Sequence, residues 1–261
     1  MMCFFNMCHR LKPMAFFYGI AKKSGLFYSR LMKNVFILTG AGISAESGLK
    51  TFRDANGLWD NYKVEDVASV EGFARNPKLV HEFYNTLRPT MQKAEPNAAH
   101  IAISEFEKEN PDVRVHLITQ NVDLLHEKAG SKKVLHMHGR IDETVCLKCG
   151  HVIKTLEESH IDDVCENCGR AGFLKPNIVF FGEMPMFMNE IEKMLQTCDI
   201  FIAVGTSGVV YPAAGFVAEA KYYGAETYLF NLEAGQNNFY FDKQIIGKAS
   251  ETLPAFLKNL K

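Results

Sequence analysis

The first 45 residues of this chain contain no acidic side chain: Glu46 is the first, while Arg10, Lys12, Lys22, Lys23, Arg30 and Lys33 all precede it. An excess of positive charge over the whole chain is also missing. The formal net charge of -1 excludes a protein that works by neutralising nucleic-acid phosphates, so no specific nucleic-acid partner is expected. Long apolar runs are lacking as well. The run at 15–21 falls far short of the ~20 residues of a membrane span, and no small-residue cleavage pattern follows it, so no membrane partner is expected. Neither an internal repeat nor a low-complexity tract is present, and 47% hydrophobic residues is ordinary for a globular core. A disulfide framework is absent too. Of seven cysteines, four form the close pairs Cys146/Cys149 and Cys165/Cys168, while Cys3, Cys8 and Cys198 are scattered. That spacing favours a metal, and with it a reducing, cytoplasmic setting.

Residues 1–32 read as a basic, aromatic N-terminal extension, either an unstructured transit-like segment or the product of an over-extended start, since Met32 stands just before the first strand-like run. From Lys33 the pattern becomes regular. Apolar runs at 35–38, 113–118, 178–181, 200–204 and 227–230 predict buried strands. Helical stretches at 77–88, 98–109, 188–197 and 213–223 lie between them, with a last one at 253–260. This alternation predicts an α/β fold, a Rossmann-like parallel sheet with helices on both faces. It stops between Arg140 and Leu174, where a small zinc-ribbon domain is expected as an insertion at 140–174, interrupting a larger Rossmann-like domain at 33–139 and 175–261.

The first strand runs into Gly40-Ala41-Gly42-Ile43-Ser44-Ala45, a Gly-x-Gly-x-x-Ala pattern. Gly40 suits a tight turn, Gly42 close approach of backbone amides to a pyrophosphate, and Ala45 close packing of helix on sheet. Two departures from a redox Rossmann unit follow. A long polar and aromatic loop, 51–59, carries Phe52, Arg53 and Trp59, and no acidic residue ends a second strand ~20 residues on, where ribose hydroxyls would be held. Other strand ends supply the polar groups instead: Gln120-Asn121-Val122-Asp123, Gly205-Thr206-Ser207 and Asn231-Leu232-Glu233. Asn121 or Asp123 is equally suited to capping a helix at 124–128.

His138, beside Gly139, is able to accept a proton at neutral pH, whereas His136 and His138 lack metal-ligand spacing to a second helical histidine. Cys146-x-x-Cys149, fifteen residues, then Cys165-x-x-Cys168 meets the spacing of a four-thiolate zinc ribbon. Four cysteines complete a tetrahedral shell, so this zinc is structural. Acidic neighbours such as Asp142, Glu143, Asp162 and Asp163 oppose a nucleic-acid role.

In combination these pieces resemble the sirtuin family over nearly all of 33–261, and the 40–48, 137–139 and 181–185 segments are most similar to its bacterial class III branch. The resemblance implies an NAD-dependent protein-lysine deacylase in which NAD is a co-substrate. The acyl-lysine carbonyl attacks the ribose, nicotinamide leaves, a ribose hydroxyl attacks the resulting imidate, and water finally yields O-acyl-ADP-ribose and free lysine. His138 is then the catalytic base, acting on a ribose hydroxyl, with Asn121 beside it in catalysis. The resemblance places NAD among Gly40, Ala41, Gly42, Ser44, Phe52, Arg53, Trp59, Gln120, Asn121, Asp123, Gly205, Thr206, Ser207, Asn231, Leu232, Glu233 and Ala249. It assigns the acylated lysine of a protein or peptide to Tyr84, Arg88, Phe181, Gly182 and Val209, in a monomer. Class III members read acidic acyl groups through Tyr-x-x-Arg. Here Leu87 stands in the arginine position and Arg88 comes one residue late, a ~100° turn on a helix, so acetyl is expected to be handled well and succinyl poorly. The rival readings are a nicotinamide-linked oxidoreductase, a non-catalytic zinc-ribbon module and mono-ADP-ribosyl transfer.

Overall fold

The computed structural model describes residues 33–51, 62–233 and 238–260. The extension expected at 1–32 lies outside the described residues, as do Phe52, Arg53, Ala55 and Trp59. In chain order the elements are β1 (Lys33–Thr39), α1 (Ala41–Ala45), α2 (Val64–Val67), α3 (Val70–Arg75), α4 (Pro77–Lys93), α5 (Ala98–Glu109), β2 (Val113–Thr119), α6 (Leu125–Lys128) and β3 (Val134–His136). They continue as β4 (Gly139–Cys146), β5 (Val152–Lys154), β6 (Leu174–Ile178), α7 (Met188–Gln196), β7 (Ile200–Val204), α8 (Phe216–Tyr222), β8 (Glu226–Asn231), β9 (Lys243–Ile246) and α9 (Ala249–Asn259).

Six strands form one sheet in the order β3-β2-β1-β7-β8-β9, every neighbouring pair parallel. Counted within that sheet, the order is 3-2-1-4-5-6, the Rossmann arrangement, and it reverses between β1 and β7. Alternation along β1 explains why it is central: Phe36 and Leu38 pack with Ile191, Leu195, Phe201 and Phe216 on one face. Val35 and Ile37 pack with Ile103, Phe106, Leu253 and Leu257 on the other. Full burial of each such side chain contributes about 1.5–3 kcal/mol. Helix starts follow from local chemistry. Asn76 and Asn97 accept hydrogen bonds from the Leu79 and Ala99 amides at 3.1 and 3.0 Å, and Pro77 opens α4 where no amide is needed.

The apolar run at 178–181 does not join the parallel sheet as expected. Its ladder is β6, which ends at Ile178 and lies antiparallel to β4 in a three-stranded sheet ordered β5-β4-β6. Beyond it, the Phe181 amide donates to Ala68 O at 2.8 Å in an isolated bridge beside Ser69. A buried apolar run records burial and not partner, so a strand packed on helices and a strand in the main sheet look alike in sequence. A third apolar cluster joins the small sheet to α4: Val80, Phe83, Tyr84 and Met91 pack with Leu125, Ile141, Ile178 and Phe180.

Candidate active site

The carboxyl ends of β1, β2, β7 and β8 meet where the strand order reverses. Backbone pairing continues one residue past the strands: Gly40 N donates to Val204 O at 3.0 Å, Gln120 N to Thr39 O at 2.9 Å, and Gly205 N to Phe230 O at 2.9 Å. Thr206 then ties the loops together, accepting at Oγ1 from Gln120 Nε2 and at its carbonyl from Asn231 Nδ2, both at 3.0 Å. Four of the expected strand-end segments are thus drawn to one edge. Leu232 and Glu233 extend from it exposed, while Ala249 opens α9 buried in the core beneath.

In the glycine loop the Gly42 amide donates to Gly205 O at 2.9 Å. Loop packing requires both glycines: a Cβ at Gly40 would lie 2.8 Å from Gly205 O, and one at Gly42 2.7 Å from Gly205 Cα. Ser44 in α1 is a buried hub. Its hydroxyl donates to Asp123 Oδ2 at 2.9 Å and accepts from Asn121 Nδ2 at 3.1 Å. Asp123 Oδ1 accepts from the Leu125 amide at 3.0 Å, so this carboxylate satisfies the first amide of α6. Burial pushes its carboxyl up from the usual range, against the Leu125 amide, the Ser44 hydroxyl and the charge of His136.

Asn121 is held at three points: its amide on Thr119 Oγ1 at 3.0 Å, Nδ2 also on Gly40 O at 3.2 Å, and its carbonyl by His136 Nδ1 at 3.0 Å. Its Oδ1 is buried and has no hydrogen-bond partner among the described residues. A buried acceptor in this state calls for a donor from a bound molecule or water. His138 is half-buried, with Nδ1 3.1 Å from the carbonyl of neighbouring Gln120. A carbonyl only accepts, so Nδ1 carries the proton and Nε2 keeps its lone pair. Burial lowers the His138 pKa, the Gln120 bond only partly opposing it, and the ring is a neutral base at pH 7. Gly139 makes this placement possible: its φ is +86° and a Cβ there would fall 1.9 Å from Asn177 O. The segment after β6 wraps the same residues, Val179 N donating to His138 O and Met186 N to Met137 O, each at 2.9 Å. It leaves Phe181 exposed, with Gly182 at positive φ. Val209, across the edge, donates to Ser207 Oγ at 3.4 Å.

Tyr84 and Arg88 do not face one pocket together. Tyr84 is buried, its ring stacked on Phe180 at 6.1 Å, and burial pushes its phenol up. Arg88, 2% exposed, donates through Nε to Ile141 O at 3.2 Å and through its two terminal nitrogens to Asn85 Oδ1 and, at 3.3 Å, to Ser159 Oγ. His81, one turn below Asn85 on α4, completes this clamp on Ser159 Oγ at 2.8 Å and Leu174 O at 3.0 Å. The guanidinium is therefore spent on joining α4 to the small sheet. Leu87 packs with the apolar cluster that contains Tyr84 and Phe180.

At the far end of the small sheet the sulfurs of Cys146, Cys149, Cys165 and Cys168 lie within 4.8 Å of one another. Cys146–Cys168 and Cys149–Cys165 are separated by 3.8 and 3.7 Å. The edge of a tetrahedron with ~2.3 Å metal–sulfur bonds is about 3.8 Å, so the four thiolates fit zinc with no position left for water. The two knuckles repeat one pattern, the Cys146 and Cys165 amides donating to His151 and Arg170 carbonyls, each at 2.9 Å.

A family model described as the Sir2 family matches residues 40–212. The chain belongs to the Sir2 family. The protein named NAD-dependent protein deacylase SIR2rp3 of Leishmania major is 52% identical over 227 residues, 85% of this chain and 93% of that protein. An NAD-dependent protein deacylase of Caulobacter vibrioides is 48% identical over 233 residues, 88% of this chain and 98% of the relative. A solved Sir2 homologue–NAD complex superposes with a TM-score of 0.79 at 34% identity, covering 87% of this chain and 88% of its own. In this Sir2 chain sequence reasoning passed over Glu127, Arg140, His100 and His126, which pack beneath the site residues. Their contacts join different elements, His100 with His126 and Glu127 with His136 and Arg140, and no local spacing marks them. Among the described residues no helix is long and apolar enough to cross a membrane.

Proposed function

We propose that this chain is an NAD-dependent protein-lysine deacylase, which cleaves NAD and frees the lysine of an acylated protein. One observation carries the reading. A neutral histidine and a buried amide oxygen, whose Nε2 and Oδ1 have no partner among the described residues, follow from adjacent anchor points, Gln120 and Asn121, at the switch point of a Rossmann sheet. NAD supplies the electrophilic ribose carbon and nicotinamide as leaving group. The chain's own residues do the rest: His138 Nε2 takes the proton of a ribose hydroxyl, Asn121 Oδ1 accepts from a sugar hydroxyl or water, and Ser44 and Asp123 keep Asn121 in place. Phe181, Gly182 and Val209 border the peptide as strand partners, which makes its sequence preference modest. Tyr84 and Leu87 border the acyl group.

The acyl group handled best is neutral, acetyl above succinyl. Arg88 is fully engaged elsewhere, and Leu87, where class III members carry arginine, sits among apolar side chains that cannot pair a carboxylate. Zinc held by Cys146, Cys149, Cys165 and Cys168 is structural. Four free thiols at such close range call for a reducing compartment, and we place the protein in the cytoplasm, acting as a monomer.

Mass spectrometry of wild type and His138→Ala, incubated with NAD and a panel of acylated peptides, tests the reading. Wild type is expected to release nicotinamide and O-acyl-ADP-ribose, and loss of the base to lower turnover by ~10²–10⁴-fold. Appearance of reduced nicotinamide absorbance, or equal activity in both proteins, overturns it.

A further inference from the structure

The site contains two histidines two residues apart, and their surroundings divide their roles. His136 ends β3 and His138 lies in the turn that follows, and both rings reach back to the loop after β2: His138 Nδ1 to Gln120 O at 3.1 Å, His136 Nδ1 to Asn121 O at 3.0 Å. Among the described residues nothing bonds the second nitrogen of His138. His136, 3% exposed, differs, because its Nε2 lies 2.8 Å from Glu127 Oε1. Both partners of the His136 ring are acceptors, a carbonyl and a carboxyl. A singly protonated imidazole would set one lone pair against another, so two protons must be shared by the ring and Glu127.

Arg140 decides where they reside. Its guanidinium is 2.6 Å from Glu127 Oε1 and also pairs with Asp142 at 2.9 Å and Glu143 at 3.3 Å. A cation on that oxygen favours the carboxylate. Burial alone would raise the Glu127 carboxyl, but the His136 bond and the charges of His136 and Arg140 hold it at about 2. The other titratable neighbours are His126 on α6, which burial keeps neutral, and Asp123 in the loop before it. The positive ring thus faces two carboxyl groups and one neutral histidine.

We infer that His136 is an imidazolium positioning residue, held charged by Glu127 and Arg140, whose Nδ1–H fixes the Asn121 carbonyl and so aims the unpartnered Asn121 Oδ1 into the site. The relay runs through four elements: Arg140 on β4, Glu127 on α6, His136 on β3, and Asn121 in the loop after β2. It also explains why His136 cannot replace His138 as base, since no lone pair remains on it. Its effect on turnover rests on the deacylase reading; the ring's charge does not.

The experiment is ¹⁵N NMR of the histidine rings in the zinc-loaded full-length protein, with kinetics on NAD and an acetyl-lysine peptide. One ring is expected to show both nitrogens protonated in wild type at about pH 7.5, where a free imidazole is mostly neutral. Glu127→Gln should turn that ring neutral, because a glutamine amide donates to Nε2, and this change assigns the signal. His136→Ala should lower kcat at least tenfold with peptide KM within about twofold of wild type, and His136→Gln, which retains one N–H for the Asn121 carbonyl, should restore part of it. A ring neutral in wild type at about pH 7.5, or His136→Ala with kcat within about twofold of wild type, overturns the inference. The wild-type spectrum needs no variant to fold. A protonated ring in a protein without deacylase activity would count against the proposed function alone.

Discussion

Replacing Arg88 with methionine separates a structural clamp from a carboxylate reader. Methionine keeps much of the aliphatic stem and deletes the guanidinium, which donates to Ile141 O, Asn85 Oδ1 and Ser159 Oγ. Two acceptors retain other partners: Asn85 Oδ1 keeps the Ser159 amide at 3.0 Å, and Ser159 Oγ keeps His81 Nδ1 at 2.8 Å. Three charge-assisted hydrogen bonds at about 1.5–3 kcal/mol each set an upper limit of about 5–9 kcal/mol. Relief from burying a cation, and the partners that remain, reduce this to about 3 kcal/mol. For a chain of this size that lowers Tm by about 6–12 °C. Calorimetry on the zinc-loaded protein measures the shift, and kcat/KM on acetyl- and succinyl-lysine peptides measures selectivity. The acetyl-to-succinyl ratio should stay within about twofold of wild type, because the guanidinium never meets the acyl chain. A Tm unchanged to within about 2 °C, together with a succinyl rate that begins above the acetyl rate and collapses in the variant, would refute the reasoning. Leu87→Arg is the complementary change and should raise succinyl turnover.

Gly139→Ala should abolish deacylation and lower Tm, since φ is +86° and the new Cβ would meet Asn177 O at 1.9 Å; activity and circular dichroism melts check both. Acid should destabilise the protein through its buried neutral histidines. His100 falls from the ordinary 6.5 to about 4 on burial, so the unfolded chain takes up a proton that the folded one refuses. Its contribution is complete above about pH 6.5 and declines as pH falls toward about 4, costing about 3 kcal/mol, which urea melts across that window measure. For catalysis, the depressed His138 puts the acid limb of kcat/KM below the ordinary histidine range, and a plateau that begins only above about pH 7.5 would contradict the neutral base. Zinc analysis should find one ion per chain, and Cys165→Ala should lose it together with hydrogen-exchange protection in β4, β5 and β6, since the four thiolates stand where a sheet this small has little apolar core.

The parts most legible in the sequence are those whose cause is local. A strand buried on both faces must be largely apolar, so β1, β7 and β8 stand out within a residue or two of their limits. Chelation of one ion by two Cys-x-x-Cys knuckles leaves a fixed spacing, and Gly-x-Gly after a strand marks a loop with no room for side chains. The short edge strands β3, β5 and β9 have no such mark, having three or four residues and mostly half-buried or exposed positions.

Sequence alone determined the Rossmann sheet, the four metal ligands and the polar strand ends, because each follows from chemistry within a few neighbouring residues. Only the tertiary structure decided what those residues touch. It placed the Gly42 amide on Gly205, locked Arg88 on Ser159, sent the 178–181 run to the small sheet, and turned His136 Nε2 to Glu127 and His138 Nδ1 to Gln120. Each of these outcomes depends on a partner far away in the chain, and distance along a sequence carries no information about where a hydrogen bond ends.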